Sequence, residues 1–225
     1  MAREPSQENT TSGGAIELTL EALASKISAS SPDQRTIIAI AGPPGSGKST
    51  TANNLQLLLK ETCSLSNQIV PMDGFHYDNA ILEALGLTKV KGSPPTFDVT
   101  GFADTLRRLS ISYQQADVAI PVFDRDNDLS RGSARLVKKE TQLLLVEGNY
   151  LLMDLVGWKD LAAFFDVTVM IACDEDELRT RLMRRWLDLD YSVTAAADKV
   201  EENDLPNARA VLEGSRQSDF LLISD

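Results

Sequence analysis

The chain has 225 residues but only one histidine, His76, and two cysteines, Cys63 and Cys173, far apart in sequence. That set cannot supply the closely spaced Cys and His ligands of a zinc site, nor a disulfide framework. The cysteines read as buried thiols of a reducing compartment. Basic residues are also in short supply. Lys and Arg total 22 against 33 Asp and Glu, a formal charge of -11. Such a field repels nucleic acid and anionic membrane, so any anionic ligand has to be held by locally concentrated donors. No apolar run approaches the roughly 20 residues of a membrane span, and the first residues lack the apolar core of a signal peptide. These absences lead to the expectation of a cytoplasmic protein with no nucleic-acid and no membrane partner.

What is present is the run Gly42-Pro43-Pro44-Gly45-Ser46-Gly47-Lys48-Ser49-Thr50, which satisfies G-x-x-x-x-G-K-[ST]. It follows directly on the strand-like stretch Thr36-Ile37-Ile38-Ala39-Ile40-Ala41 and precedes Leu55, Leu58 and Leu59 at helical spacing. In that context the run is a phosphate-binding loop. Its glycines let backbone N–H groups turn toward phosphate, Lys48 brings a point charge to the β and γ phosphates, and Ser49 offers a hydroxyl to Mg²⁺. A helix predicted from about Lys48 to Lys60 adds its positive dipole end at the same place. ATP and Mg²⁺ are the implied ligands, held by residues 42–50.

The polar segment 1–15 has little to bury and reads as a disordered tail, leaving 16–225 as one domain. Ile16, Leu20, Leu23 and Ile27 predict a docking helix over 16–28. Strands are expected at 68–72, 118–123, 143–146, 167–172 and 220–223. Helices are expected at 77–86, around Phe102, Leu106 and Leu109 with Asp98 or Thr100 as N-cap, at 175–189 and at 205–213. Residues 88–97 read as a Lys/Gly/Pro loop. Strands alternating with helices predict an α/β class with a mainly parallel, doubly wound sheet, helices on both faces and a small lid.

Ligands gather at the carboxyl ends of parallel strands, so acids there are singled out. Asp73, in Asp73-Gly74-Phe75-His76, is placed to accept the proton of an attacking hydroxyl, against the plainer reading of a turn cap. Glu147 ends the apolar run Leu143-Leu144-Leu145-Val146 and is expected, with Ser49, at the metal. His76, Lys91 and Arg125 are the expected substrate contacts. Arg179, Arg181, Arg184 and Arg185 crowd one helix, and at least one, with Arg181 put forward beside Asp73 and Lys48 as catalytic, would stabilise charge in a phosphoryl transition state. The i, i+4, i+8 spacing of Glu177, Arg181 and Arg185 fits a salt-bridged surface face equally well.

From Gly42 to Asp154 the chain resembles P-loop kinases of small metabolites, the group of uridine kinase, phosphoribulokinase and bacterial pantothenate kinase. The resemblance rests on the phosphate loop, Met72-Asp73-Gly74-Phe75-His76, Lys91-Gly92-Ser93-Pro94-Pro95-Thr96-Phe97-Asp98, Pro121-Val122-Phe123-Asp124-Arg125 and Glu147-Gly148-Asn149-Tyr150, in that order. With Asn203-Asp204-Leu205-Pro206-Asn207-Ala208 it is closest to a uridine-kinase-like branch described as fructose-transport-system kinases. The resemblance implies a P-loop NTPase fold, Asp73 as the catalytic aspartate, an adenine site near Asn207, and a homodimer as one possible assembly. The chain departs from pantothenate and uridine kinases in having Asp124 and Arg125, not histidine, after the Pro121-Val122-Phe123 strand, so their substrate contacts do not transfer.

The expected activity is ATP- and Mg²⁺-dependent transfer of the γ-phosphoryl group to a hydroxyl of a small, non-phosphorylated metabolite, sugar-like or a related alcohol. Pantothenate and nucleosides are alternative acceptors. A regulatory GTPase would need N-K-x-D, which the sequence lacks. A nucleoside-monophosphate kinase would need an arginine clamp after the second strand. A non-catalytic nucleotide-binding module is opposed by intact Lys48, Ser49, Asp73 and Glu147.

Overall fold

The computed structural model describes residues 14–29, 34–63 and 65–223, so residues 1–13 of the expected tail lie outside it. In chain order the elements are β1 (Ile16–Glu17), α1 (Leu20–Ser28), β2 (Thr36–Ala41), α2 (Lys48–Thr62), β3 (Asn67–Pro71), α3 (Asn79–Ala84), α4 (Val99–Ile111), β4 (Val118–Asp124), β5 (Leu129–Val137), β6 (Leu143–Gly148), β7 (Val167–Ala172), α5 (Glu175–Leu187), α6 (Val193–Lys199), α7 (Leu205–Gly214) and β8 (Phe220–Ile223).

Six strands form one parallel sheet in the order β1-β8-β7-β2-β6-β3, with β2 near its middle. The alternation of side chains along a strand divides the core between the two faces. Ile37, Ala39 and Ala41 of β2 point to the side filled by Phe75, Phe102, Leu106 and Tyr150, whereas Ile38 and Ile40 meet Leu23, Ile27, Leu55 and Leu59 of α1 and α2. Helices therefore cover both faces, as a parallel sheet requires. A third cluster joins Leu178 and Leu182 of α5 to Val200, Leu205 and Ala208.

Two expectations are corrected. Ile16 is not helical: it pairs with Phe220 in the edge strand β1, and the helix starts at Leu20 because the Thr19 hydroxyl accepts the Ala22 N–H at 3.2 Å and caps it. The strand over 118–123 exists, but it lies outside the parallel sheet. It pairs antiparallel with β5 in a separate hairpin. Asp98 is the observed N-cap of α4, accepting Gly101 N–H at 2.9 Å, and 88–97 holds two short 3-10 turns.

Arg35, just before β2, is buried and ties the sheet to its surroundings. Its guanidinium donates to the carbonyls of Thr141, Leu109, Lys138 and Lys139 and to the Ser112 hydroxyl, at 2.6 to 3.1 Å. Between α6 and α7 the helix widens into a π turn over Val200–Asp204, where Leu205 N–H bonds to the Val200 carbonyl.

Candidate active site

The sheet register aligns three carboxyl ends. Ile40 and Ala41 of β2 lie opposite Glu147 and Gly148 of β6, and Glu147 lies opposite Pro71 of β3. Whatever follows β2 and β3 therefore meets Glu147. After β2 comes the loop 42–47, and after β3 a 3-10 turn, Met72–Phe75, that carries Asp73. Gly148 is required by close approach: a Cβ there would sit 2.5 Å from the Met72 Cβ.

In the loop Gly45 and Gly47 both have φ of 81°, a left-handed conformation that favours glycine. Gly47 is the N-cap of α2, so the unsatisfied N–H groups of that helix's first turn open toward the loop. Pro43, Pro44 and Ser46 are buried beneath it, and Ser46 N–H bonds to the Pro43 carbonyl at 3.1 Å. Gly45 also lies against α5, where its Cβ would meet Leu182 Cγ at 2.9 Å.

Lys48, Ser49 and Thr50 open α2 beside the end of β6. Ser49 Oγ donates to Glu147 Oε2 at 3.0 Å. Burial raises the Glu147 carboxyl above its ordinary value against the pull of Lys48. Burial lowers the Lys48 ammonium by more than the carboxylates of Glu147 and Asp73 restore, and Arg185 and Arg125 push the same way. A cleft of 350 Å³ opens next to this pair, bounded also by Asn53, Gln56, Gln68 and Arg135.

Asp73 faces the hairpin. Arg125, in the turn after β4, donates from Nη2 to Asp73 Oδ2 at 2.7 Å. Burial works to raise the Asp73 carboxyl, but His76, Arg125 and Lys48 together outweigh it and hold it below the ordinary carboxylate value. His76 Nδ1 lies 2.8 Å from the Asp73 carbonyl oxygen, and its ring packs between Phe97 and Phe123, with centroids at 3.9 and 4.7 Å. A carbonyl only accepts, so Nδ1 carries hydrogen, and the neutral ring presents Nε2 as an acceptor. Burial lowers the His76 pKa, which keeps the ring neutral.

Lys91 is engaged elsewhere. Its ammonium bonds to the Asp128 carboxylate at 2.8 Å, the Asp128 carbonyl at 2.9 Å and Asn79 Oδ1 at 2.7 Å, fastening the tip of the hairpin to α3. The structure thus brings Asp73, His76 and Arg125 together and assigns Lys91 to their frame. Asn79 and Asp128 were not legible as members of this cluster, since their contacts cross 12 to 49 positions of sequence. Tyr150, equally unforeseen, donates its hydroxyl to the Gly92 carbonyl at 2.5 Å and so holds the same loop.

Arg181 Nε donates to Glu177 at 2.7 Å along its own helix, and Arg179 pairs with Glu175 and Glu201. Arg185 is the arginine of α5 that shares an electrostatic field with Lys48, Asp73 and Arg125. Asn207 is buried on α7 and donates to Asn203, whose amide donates to the Lys91 carbonyl, both at 3.2 Å. Asp204 accepts from Trp186 Nε1 at 2.6 Å, tying α7 to α5.

The donors fit the expected ligands. A positive-φ glycine cradle, a lysine and a helix N-terminus suit a triphosphate. The hydroxyl of Ser49 and the carboxylate of Glu147 are hard oxygens suited to Mg²⁺, which keeps most of its waters. Among the described residues no cluster of three or more acids, His or Cys forms a metal cage, and none of their helices is long and apolar enough to cross a membrane.

Comparison with known proteins agrees with this geometry. Residues 37–218 match the model of the Phosphoribulokinase / Uridine kinase family. The chain is 34% identical over 192 residues to the uncharacterized protein YggC of Escherichia coli, covering 85% of this chain and 78% of that one. It is 30% identical over 196 residues to a protein of Schizosaccharomyces pombe named "putative uridine kinase", covering 84% and 83%. Among solved structures, a "putative fructose transport system kinase" from Silicibacter sp. TM1040 superimposes with a TM-score of 0.84 at 39% identity, covering 91% of this chain and 98% of that one. A phosphate loop at the centre of a parallel sheet, flanked by two acids, is thus shared with relatives along most of the chain, which belongs to the phosphoribulokinase and uridine kinase family and is a small-molecule kinase acting on an alcohol group.

Proposed function

We propose that this kinase uses ATP and Mg²⁺ to phosphorylate a hydroxyl of a sugar-like metabolite, of the fructose type or a related alcohol, in the cytoplasm. The observation that carries the reading is the convergence of the loop after β2, Glu147 of β6 and Asp73 after β3 at one sheet end. Similarity to the structure named as a fructose transport system kinase supports the sugar-like acceptor, and two unpaired thiols, Cys63 and Cys173, support a reducing compartment.

In this reading the loop N–H groups and Lys48 hold the β and γ phosphates and draw off charge as the γ-phosphoryl group leaves. Ser49 and Glu147 would hold Mg²⁺, which supplies neutralisation of phosphate charge when bound. Asp73 takes the proton of the attacking hydroxyl, and His76 Nε2 accepts from a neighbouring hydroxyl and orients the acceptor. An arginine of α5 covers the phosphates.

Asp73→Asn tests the assignment, because the amide keeps shape but takes no proton. We expect kcat to fall about 10²- to 10⁴-fold with MgATP affinity nearly native, measured by coupled ADP release and calorimetric titration. A kcat within about threefold of the unaltered enzyme would make Asp73 a turn cap.

A further inference from the structure

The group assigned as base is capped. Asp73 Oδ2 already accepts from Arg125 Nη2 at 2.7 Å, and a carboxylate paired with a guanidinium is a weaker base with an occupied lone pair. Proton transfer from the acceptor requires that Arg125 let go. Its side chain is 59% exposed and lies in the hairpin turn, 5.9 Å from the Phe123 ring centroid, so it can swing without unpacking the core. A guanidinium leaves one anion readily only for another, and a neutral polyol offers none.

The other cations on the acceptor side narrow the choice. Lys91 is held by Asp128 and Asn79, and His76 presents an acceptor nitrogen. Arg125 therefore remains as the single positive group at Asp73 for an incoming acceptor among these substrate-side residues. One guanidinium matches a monoanion bidentately, whereas a dianionic phosphate calls for a cluster of cations.

Building on the kinase reading above, we propose that the acceptor is a polyhydroxy acid whose carboxylate draws Arg125 off Asp73 and so frees the base as it binds. The reaction then runs in balance. The hydroxyl oxygen forms a bond to the γ-phosphorus of ATP, the bond between that phosphorus and the β,γ-bridging oxygen breaks, ADP leaves with the electron pair, and the hydroxyl proton passes to Asp73. Specificity arises because a neutral alcohol leaves Asp73 capped.

The test uses the full chain with MgATP and matched acceptors: gluconate against glucose, glycerate against glycerol, and glucose 6-phosphate as the phosphate arm. We expect at least one acid to exceed its neutral partner in kcat/KM by about 100-fold or more, the scale on which an unpaired polar group discriminates. In Arg125→Gln the acid's kcat/KM should fall and that of the neutral partner should rise, because Asp73 is uncapped. Preference for neutral alcohols or the sugar phosphate overturns the proposal, as does an equal loss on both partners in the variant. MgATP binding by calorimetry with no transfer to any acid also overturns it while leaving nucleotide binding intact. Absence of MgATP binding overturns the kinase reading itself.

Discussion

Ser49 Oγ donates to Glu147 Oε2 across 3.0 Å, joining the first turn of α2 to the end of β6. The two residues come from segments 98 positions apart, and the pairing of β2 with β6 sets their distance. Glu147→Gln keeps the hydrogen bond but removes the charge. We expect Mg²⁺-dependent ATP binding to weaken roughly 10- to 100-fold, with melting temperature unchanged or raised, since a carboxyl disfavoured by burial is replaced by a neutral amide. Calorimetric titration with and without Mg²⁺, beside a thermal melt, checks both.

The arginines of α5 should separate by function. Arg185 lies in the field of Lys48 and Asp73, whereas Arg181 is bonded to Glu177. We expect Arg185→Met to lower kcat by about 10²- to 10³-fold, as removal of one charge-stabilising donor does, and Arg181→Met to lower it by less than about tenfold. Steady-state kinetics of the two variants decide the order.

His76 gives a pH signature. Burial lowers its pKa in the folded chain from the ordinary 6.5. Below 6.5 the unfolded chain therefore takes up a proton that the folded chain does not, and stability falls as the pH drops through that window. This is the chain's only histidine. Urea denaturation between pH 7 and 5.5 should show a shallower loss of stability in His76→Gln than in the unaltered protein.

Arg35 is the fourth test. Its guanidinium serves four carbonyls and a hydroxyl from α4 and the β5–β6 connection. Arg35→Met leaves these buried acceptors unmet and should cost about 3–5 kcal/mol. Arg35→Lys should rescue little, because an ammonium cannot reproduce the planar fork. Chemical denaturation at constant m-value measures both.

The phosphate loop, the buried run ending at Glu147 and the bounds of β2, β7 and β8 were legible because each is a local pattern: a motif, an apolar stretch, a turn. β5 was not legible. Its residues Ser130 to Arg135 are largely polar and exposed, so no alternation marks them, and the strand exists only because β4 pairs with it. The ion pair of Asp73 with Arg125 was hidden for the same reason, since the hairpin alone carries Arg125 back across 52 positions. Lys91 read as a substrate cation because its counter-charge, Asp128, sits at the tip of that unseen hairpin. Arg181 and Arg185 share one helix, and their spacing alone did not tell which one lies in the field of Lys48.

The π turn at Val200–Asp204 fixes the length of the chain at this point to the residue. An α-helix advances about 100° per residue, and a wide turn admits one more residue than the α ladder holds. Val200 before the turn and Leu205 and Ala208 after it all reach the same cluster with α5, while Asn203 within it reaches back to the carbonyl of Lys91. Excising a single residue there would rotate everything beyond by that angle, carrying Asn207 and Val211 off their seats without altering a single apolar side chain. Homologous chains can change composition along this rod freely, but an insertion or deletion within it rewrites which face meets the lid.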